Sequence, residues 1–152
     1  LLGRSLLAVG AGGGLTLALA TQGVLALDPW YLPRYVVPLA GMTFANAMTA
    51  VSLAAERVQA ELAHGGSWVE ARNTAYQAAM IPVINSLLAV GLVSLPGMMT
   101  GQILSGVSPL LAARYQILIM CLIFAAAGLA AALFLAGARR VLAPGHPGAH
   151  RH

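Results

Sequence analysis

The sequence predicts an all-α, polytopic membrane protein with about four transmembrane helices. Three observations carry that reading. Only 8% of the residues are charged while 59% are hydrophobic, and a soluble domain carries roughly 25% charged residues because its surface must stay in water. The apolar residues gather into runs of about 20, the length a helix needs to cross hydrocarbon. The basic residues stand singly, or as the pair Arg139-Arg140, beside those runs, as topology signals do.

The first span is expected over residues 6–27, after Arg4 and before Asp28-Pro29. Its Gly10, Gly12, Gly13 and Gly14 would weaken a soluble helix, but in a membrane they let a second helix approach closely, with Gly10 and Gly14 as a GxxxG pair. Pro29 and Pro33 then end one helix and start the next, and Trp30 and Tyr31 suit a membrane interface. The second span covers 35–55, the third 76–95 with Pro82 inside it, and the fourth 115–138, closed by Arg139-Arg140. A polar segment, 56–74, separates the second and third spans, and the tail 143–152 is expected to be disordered. Residues 1–142 thus form one transmembrane domain.

With alternating spans, Arg4, Arg57, Arg72, Arg139, Arg140 and Arg151 fall on one side, and Arg34 and Arg114 on the other. The positive-inside rule then places both ends of the chain and the 56–74 segment in the cytoplasm, with Pro96–Arg114 at the outer face. The sequence opens on Leu1 with an apolar segment at once, so the expectation is a piece of a longer reading frame.

Several functions are excluded or disfavoured. Cys121 is the single cysteine, so neither a disulfide framework nor a cysteine-cluster zinc site is available. The net charge of +4 is spread over isolated arginines, which argues against nucleic acid as a partner. Lysine is absent, so no phosphate-binding loop exists here and any ATP hydrolysis belongs to another chain. No histidine–glutamate pair has zinc-ligand spacing and no GxSxG elbow occurs, so an enzyme is not expected, nor a cofactor in this chain. His64 stands alone, and His146, His150 and His152 crowd the tail.

Candidate functional residues fall in four stretches. On the second span Thr43, Asn46 and Thr49 share one helical sector with Met42 beside them; polar groups in hydrocarbon need partners, so they either bond other helices or face a path. Asn85 and Ser86 follow Pro82 by one turn. Pro96 to Gly106 is too broken for an ordinary helix interior: Gly97, Gly101 and Gly106 alternate with Met98, Met99, Thr100 and Gln102. Such backbone is either a connecting loop or the wall of a transport site, and the methionines either fill space or offer thioether ligands. The 56–74 segment reads as a helix, a turn at Gly65-Gly66 and a second helix capped by Ser67 with Glu70 three residues on. It is either a solvated connection or a docking element for a soluble partner.

The string from Met80 to Gly106, MIPVINSLLAVGLVSLPGMMTGQILSG, with Tyr115-Gln-Ile-Leu-Ile-Met120, Pro38-Leu-Ala-Gly-Met42, Asn46 and Glu56-Arg57, closely resembles the FetB-type permeases. These are membrane subunits of a bacterial iron-exporting ABC transporter, related to plant aluminium-sensitivity proteins. The resemblance runs from about Leu6 to Leu142 and implies the C-terminal three-fifths of a longer permease. It implies a multi-pass protein of the bacterial cytoplasmic membrane that pairs with a second copy and is driven by a separate ATP-binding subunit. It implies a metal ion, iron foremost, as cargo, passing between helices that carry Met42, Asn46, Asn85, Met98, Met99, Thr100 and Gln102. Glu56, Arg57, Glu61, Gly65 and Glu70 would couple the spans to the ATPase. The stretch from Glu56 to Pro82 is shorter than is usual in the family, with His64-Gly-Gly-Ser-Trp68 at its turn. The alternatives are a membrane scaffold or regulatory subunit that transports nothing, and a truncated permease copy without function.

Overall fold

The computed structural model describes residues 2–24, 33–89 and 97–142. These are helical throughout, apart from two tight turns. Helix α1, Leu2–Ala18, passes into a π-helical segment, Leu19–Val24. Helices α2, Pro33–Ala63, and α3, Trp68–Ala89, form an antiparallel pair; α4, Gly97–Leu104, is short, and α5, Pro109–Leu142, is the longest. Helix α5 is the hub, packing on α1, α2, α3 and α4.

The direction of each helix follows from what it touches. Ala20 clusters with Leu39 and Leu122, whereas Gly12 approaches Ala130 and Gly13 approaches Phe44. Helix α1 is therefore antiparallel to both α2 and α5, and α2 and α5 run the same way. The C-terminal ends of α2 and α5 share one end of the bundle with the start of α3, where Leu62, Trp68 and Leu142 pack against the core. Helix α4 closes the opposite end. Arg57, Arg72 and Arg139 lie toward the first end and Arg114 toward the second, the alternation that the arginine count predicts.

Small residues set the helix spacing. Ala47, Ala50, Ala54 and Val58 on α2 meet Ala71, Ala75, Ala79 and Val83 on α3, and Ala127, Ala130, Ala131 and Ala138 on α5, all buried in one cluster with Phe134. Without a hydrophobic drive between helices in lipid, close backbone approach and dispersion hold such seams together. A Cβ added at Gly12 would sit 2.8 Å from the Ala130 nitrogen and 2.9 Å from its Cα, and one at Gly13 would sit 2.8 Å from the Phe44 ring. The GxxxG pair does not make this contact: Gly10 and Gly14 have open space where a Cβ would go. In the other direction, Leu7, Leu104 and Ile117 are 74%, 84% and 65% exposed, outward apolar surface that suits hydrocarbon rather than water.

Four spans are not all recovered. Val36–Ala63 and Pro109–Arg139 are long and apolar enough to cross a membrane; Ser5–Ala18 is apolar but shorter, and the described part of α3 does not qualify. Within the polar 56–74 segment α2 continues unbroken to Ala63 and α3 starts at Trp68, the helix, turn and helix that its residues predict. Gly97–Leu104 is a regular helix and not the broken stretch its glycines suggest. The end of the first span at 25–27, the interfacial Trp30 and Tyr31, residues 90–96 with the end of the third span, and the tail with His146, His150 and His152 lie outside the described residues.

Candidate functional site

At one end of the bundle the chain reverses between α2 and α3. Gly65 adopts φ +82°, where a side chain would be strained. Its N–H donates to the Leu62 carbonyl at 3.1 Å, and the Gly66 N–H donates to the Glu61 carbonyl at 3.1 Å. This 5→2 and 6→1 pair is a Schellman motif, which satisfies the last carbonyls of α2. Ser67 then caps α3: its Oγ–H and N–H donate to Glu70 Oε2 at 2.8 and 3.2 Å, and the Glu70 N–H donates back to Ser67 Oγ at 3.4 Å. The capping box is as the sequence spells it.

The Ser67 hydroxyl first, and its backbone N–H second, hold the Glu70 carboxyl below its ordinary value of 4.5. Because the folded value lies below the unfolded one, the contribution of the box is complete above that ordinary value and is lost as pH falls through the folded value. We expect thermal unfolding in detergent to show a gap between wild type and Glu70→Ala at neutral pH that narrows on acidification below about 4.5. A gap that stays constant with pH would show that the carboxylate contributes nothing through these bonds. On the neighbouring turn of α2, Arg57 Nη2 lies 2.6 Å from Glu61 Oε1, and Glu56 is exposed. The residues expected to couple to a partner, Glu56, Arg57, Glu61, Gly65 and Glu70, thus gather at one exposed tip.

At the other end lies a cavity of about 800 Å³ between α2, α4 and α5. Pro38 and Met42, one turn apart, come from α2; Leu111 and Tyr115, one turn apart, come from α5. Helix α4 lends the face that carries Met98, Gly101 and Gln102, and Ser105 follows in the turn after it. A second Schellman turn sets that face: Gly106 has φ +92°, its N–H donates to the Ile103 carbonyl and the Val107 N–H donates to the Gln102 carbonyl, each at 3.0 Å. Ser108 Oγ accepts from the Leu111 N–H at 3.3 Å and Pro109 opens α5, a capped start with proline in the first turn.

The described lining carries no charged side chain, and its polar atoms are thioether sulfurs, an amide and hydroxyls. Among the described residues no group of three His, Cys, Asp or Glu lies together. Such a neutral, soft and oxygen-bearing wall can touch a cation transiently without the deep binding that a carboxylate cage would impose.

Of the residues expected along a path, Met42, Met98 and Gln102 share this cavity. Asn46, Met99 and Thr100 are part-buried outside its lining, and Asn85 is exposed on α3. Asn46 Nδ2 donates to the Met42 carbonyl at 2.8 Å and Thr49 Oγ1 to the Ala45 carbonyl at 3.0 Å, so both find acceptors on their own helix. Ser86 Oγ does the same with the Pro82 carbonyl at 2.9 Å. Thr43 is fully buried, and its Oγ1 has no partner among the described residues. The sequence reading missed Tyr115 and Leu111 as lining residues; their i, i+4 spacing at the start of an apolar helix was the available signal.

Residues 1–142 match the family described as Uncharacterised protein family (UPF0014). The chain is 39% identical over 132 residues to a UPF0014 membrane protein of Synechocystis, covering 77% of this chain and 51% of that protein. It is 35% identical over 140 residues to the probable iron export permease protein FetB of Escherichia coli, covering 82% of this chain and 53% of that one. It is 37% identical over 112 residues to the protein ALUMINUM SENSITIVE 3 of Arabidopsis thaliana, covering 64% of this chain and 41% of the relative. The chain spans about half the length of the curated relatives it matches. No solved structure matches it.

Proposed function

This chain belongs to the UPF0014 family of membrane proteins, and from that premise we propose that it is the membrane-embedded part of a permease that exports a metal ion, iron foremost. A separate ATP-binding subunit drives it and a second copy completes it, in the bacterial cytoplasmic membrane with the α2–α3 turn and both chain ends on the cytoplasmic side. The observation that carries this reading is the neutral cavity lined by Met42, Met98, Gln102 and Tyr115, at the end of the bundle remote from the exposed turn. A relative that is named an iron export permease supports the cargo. The absence of lysine agrees with ATP hydrolysis on another chain.

In this mechanism the ATPase subunit docks at the tip formed by Glu56, Arg57, Glu61, Gly65 and Glu70. Because α2 is continuous from that tip to Met42, a tilt of the tip is transmitted to the cavity wall. The ion, shedding water, meets the Met42 and Met98 sulfurs and the Gln102 side-chain amide oxygen, with Asn46, Asn85, Met99 and Thr100 on the helices that bound its route.

The test is the double substitution Met42→Leu/Met98→Leu in the whole gene product, which keeps side-chain volume and removes both thioethers. A loss of about 1.4 kcal/mol of ion stabilisation slows passage roughly tenfold, so we expect metal efflux from loaded cells to fall by about that factor with membrane levels of the protein unchanged. Efflux equal to wild type would overturn the role of the sulfurs. If deletion of the whole gene also leaves efflux unchanged while a partner complex is lost, the chain is a scaffold and not a permease.

A further inference from the structure

A second cleft, of about 420 Å³, lies on the outside of the bundle between α3 and α5, near the turn end. Arg72, Asn73 and Gln77 give it a polar wall, and Ala132, Leu135 and Ala136 an apolar one, with Tyr76 between them. We propose that this cleft binds an anionic phospholipid, its phosphate headgroup at Arg72 and its upper acyl segment along the alanine side. The proposal rests on the membrane assignment of the chain and is independent of the transport reading.

The cleft straddles a change from charged to apolar surface. On α3, Arg72, Asn73 and Gln77 give way to the exposed Ile81 and Ile84; on α5, Leu135 and Ala136 give way to Arg139. A lipid has the same polarity profile at its headgroup boundary, while a soluble anion needs only the polar half. The Arg72 guanidinium is aimed by its neighbour: Nε and Nη2 both donate to Asn73 Oδ1, at 3.2 and 3.0 Å. Its Nη1 donors are uncommitted among the described residues, and no carboxylate pairs with it. Glu70 stands two positions away, on another face of the helix, and is held by Ser67.

Arg139 adds a second cation. It lies three residues after Ala136 and four after Leu135, so it shares their face of α5 and is exposed there. The described lining itself contains no acidic residue. Two arginines with no acid between them, at the boundary of an apolar groove, fit the chemistry of a phosphodiester with a hydrocarbon tail.

The whole gene product in mild detergent provides the test, through its thermal unfolding with added phosphatidylglycerol, phosphatidylcholine or inorganic phosphate. Phosphatidylglycerol is expected to raise the unfolding temperature and the other two to leave it unchanged. Arg72→Gln is expected to unfold at the wild-type temperature without lipid and to need roughly fivefold more phosphatidylglycerol for half the shift. Adding Arg139→Gln should weaken the response further. Ala136→Leu, which fills the apolar wall and keeps both charges, should weaken it as well. Equal stabilisation by phosphatidylcholine, or a full response in Arg72→Gln, would overturn the proposal. A shift reproduced by phosphate alone would reduce the site to a free-anion site and overturn the lipid assignment.

Discussion

Replacing Gly12 by alanine is expected to destabilise the protein by about 1–3 kcal/mol, the range for forcing an extra methyl into a filled interface, although alanine is the better helix former. The new Cβ would lie 2.8 Å from the backbone nitrogen and 3.0 Å from the Cβ of Ala130. Backbone cannot swing aside as a flexible side chain can, so α1 must lift from α5 along its length. The same change at Gly10 or Gly14 meets nothing within 4 Å. There the intrinsic preference for alanine, up to about 1 kcal/mol, acts alone and the expected result is neutral to mildly stabilising. Thermal unfolding of the three variants in one detergent decides the matter. A Gly12→Ala protein as stable as wild type would mean that α1 does not dock on α5 at this register.

Phe134→Ala should be more damaging still. Phe134 is fully buried in the cluster that joins α2, α3 and α5, among alanines that are too small to refill the space. Phenylalanine-to-alanine changes in water-soluble cores cost about 3–5 kcal/mol, part from hydrophobic transfer and part from the cavity. In lipid the transfer part shrinks, because the separated helix faces hydrocarbon and not water. The cavity part remains, and we expect a loss near the lower end, about 3 kcal/mol. Leu133, one residue earlier but 42% exposed, serves as the control, and its change to alanine should stay within about 0.5 kcal/mol. Equal effects at the two positions would mean that α5 is rotated from the orientation described.

Local signals were legible in the sequence because they are self-contained. Gly65-Gly66 followed by Ser67 and Glu70 specifies a helix stop and a helix start within six residues, and the hydrogen bonds sit where those residues require them. The all-helical class was equally plain from composition. What the sequence could not supply was the face each helix turns to its neighbour. Five glycines on α1 look alike as letters, and only the position of α5 separates Gly12 from Gly10. Met98 and Met99 are adjacent, yet about 100° apart around α4, and the first lines the cavity while the second does not. Asn46 looked like a group in need of a partner on another helix, but a short amide can reach the carbonyl four residues back. The stretch from Gly97 misled for a related reason: Gly97 and Gly101 argue against a helix in water, whereas helices in membranes accept glycine readily.

The continuity of α2 has a mechanical consequence. Its 31 residues, at 1.5 Å each, make a rod about 46 Å long, against a hydrocarbon slab about 30 Å thick. With its first turn level with one surface, the rod stands proud of the other by about 16 Å. That overhang carries Glu56, Arg57 and Glu61, and it is stiffened against fraying by the 2.6 Å ion pair and the closed turn beyond it. In the proposed permease it acts as a lever arm with its fulcrum at the membrane surface. A sideways pull of about 3 Å at the tip rotates the rod by roughly 10° and moves Met42, about as far from the fulcrum on the other side, by about 3 Å the other way.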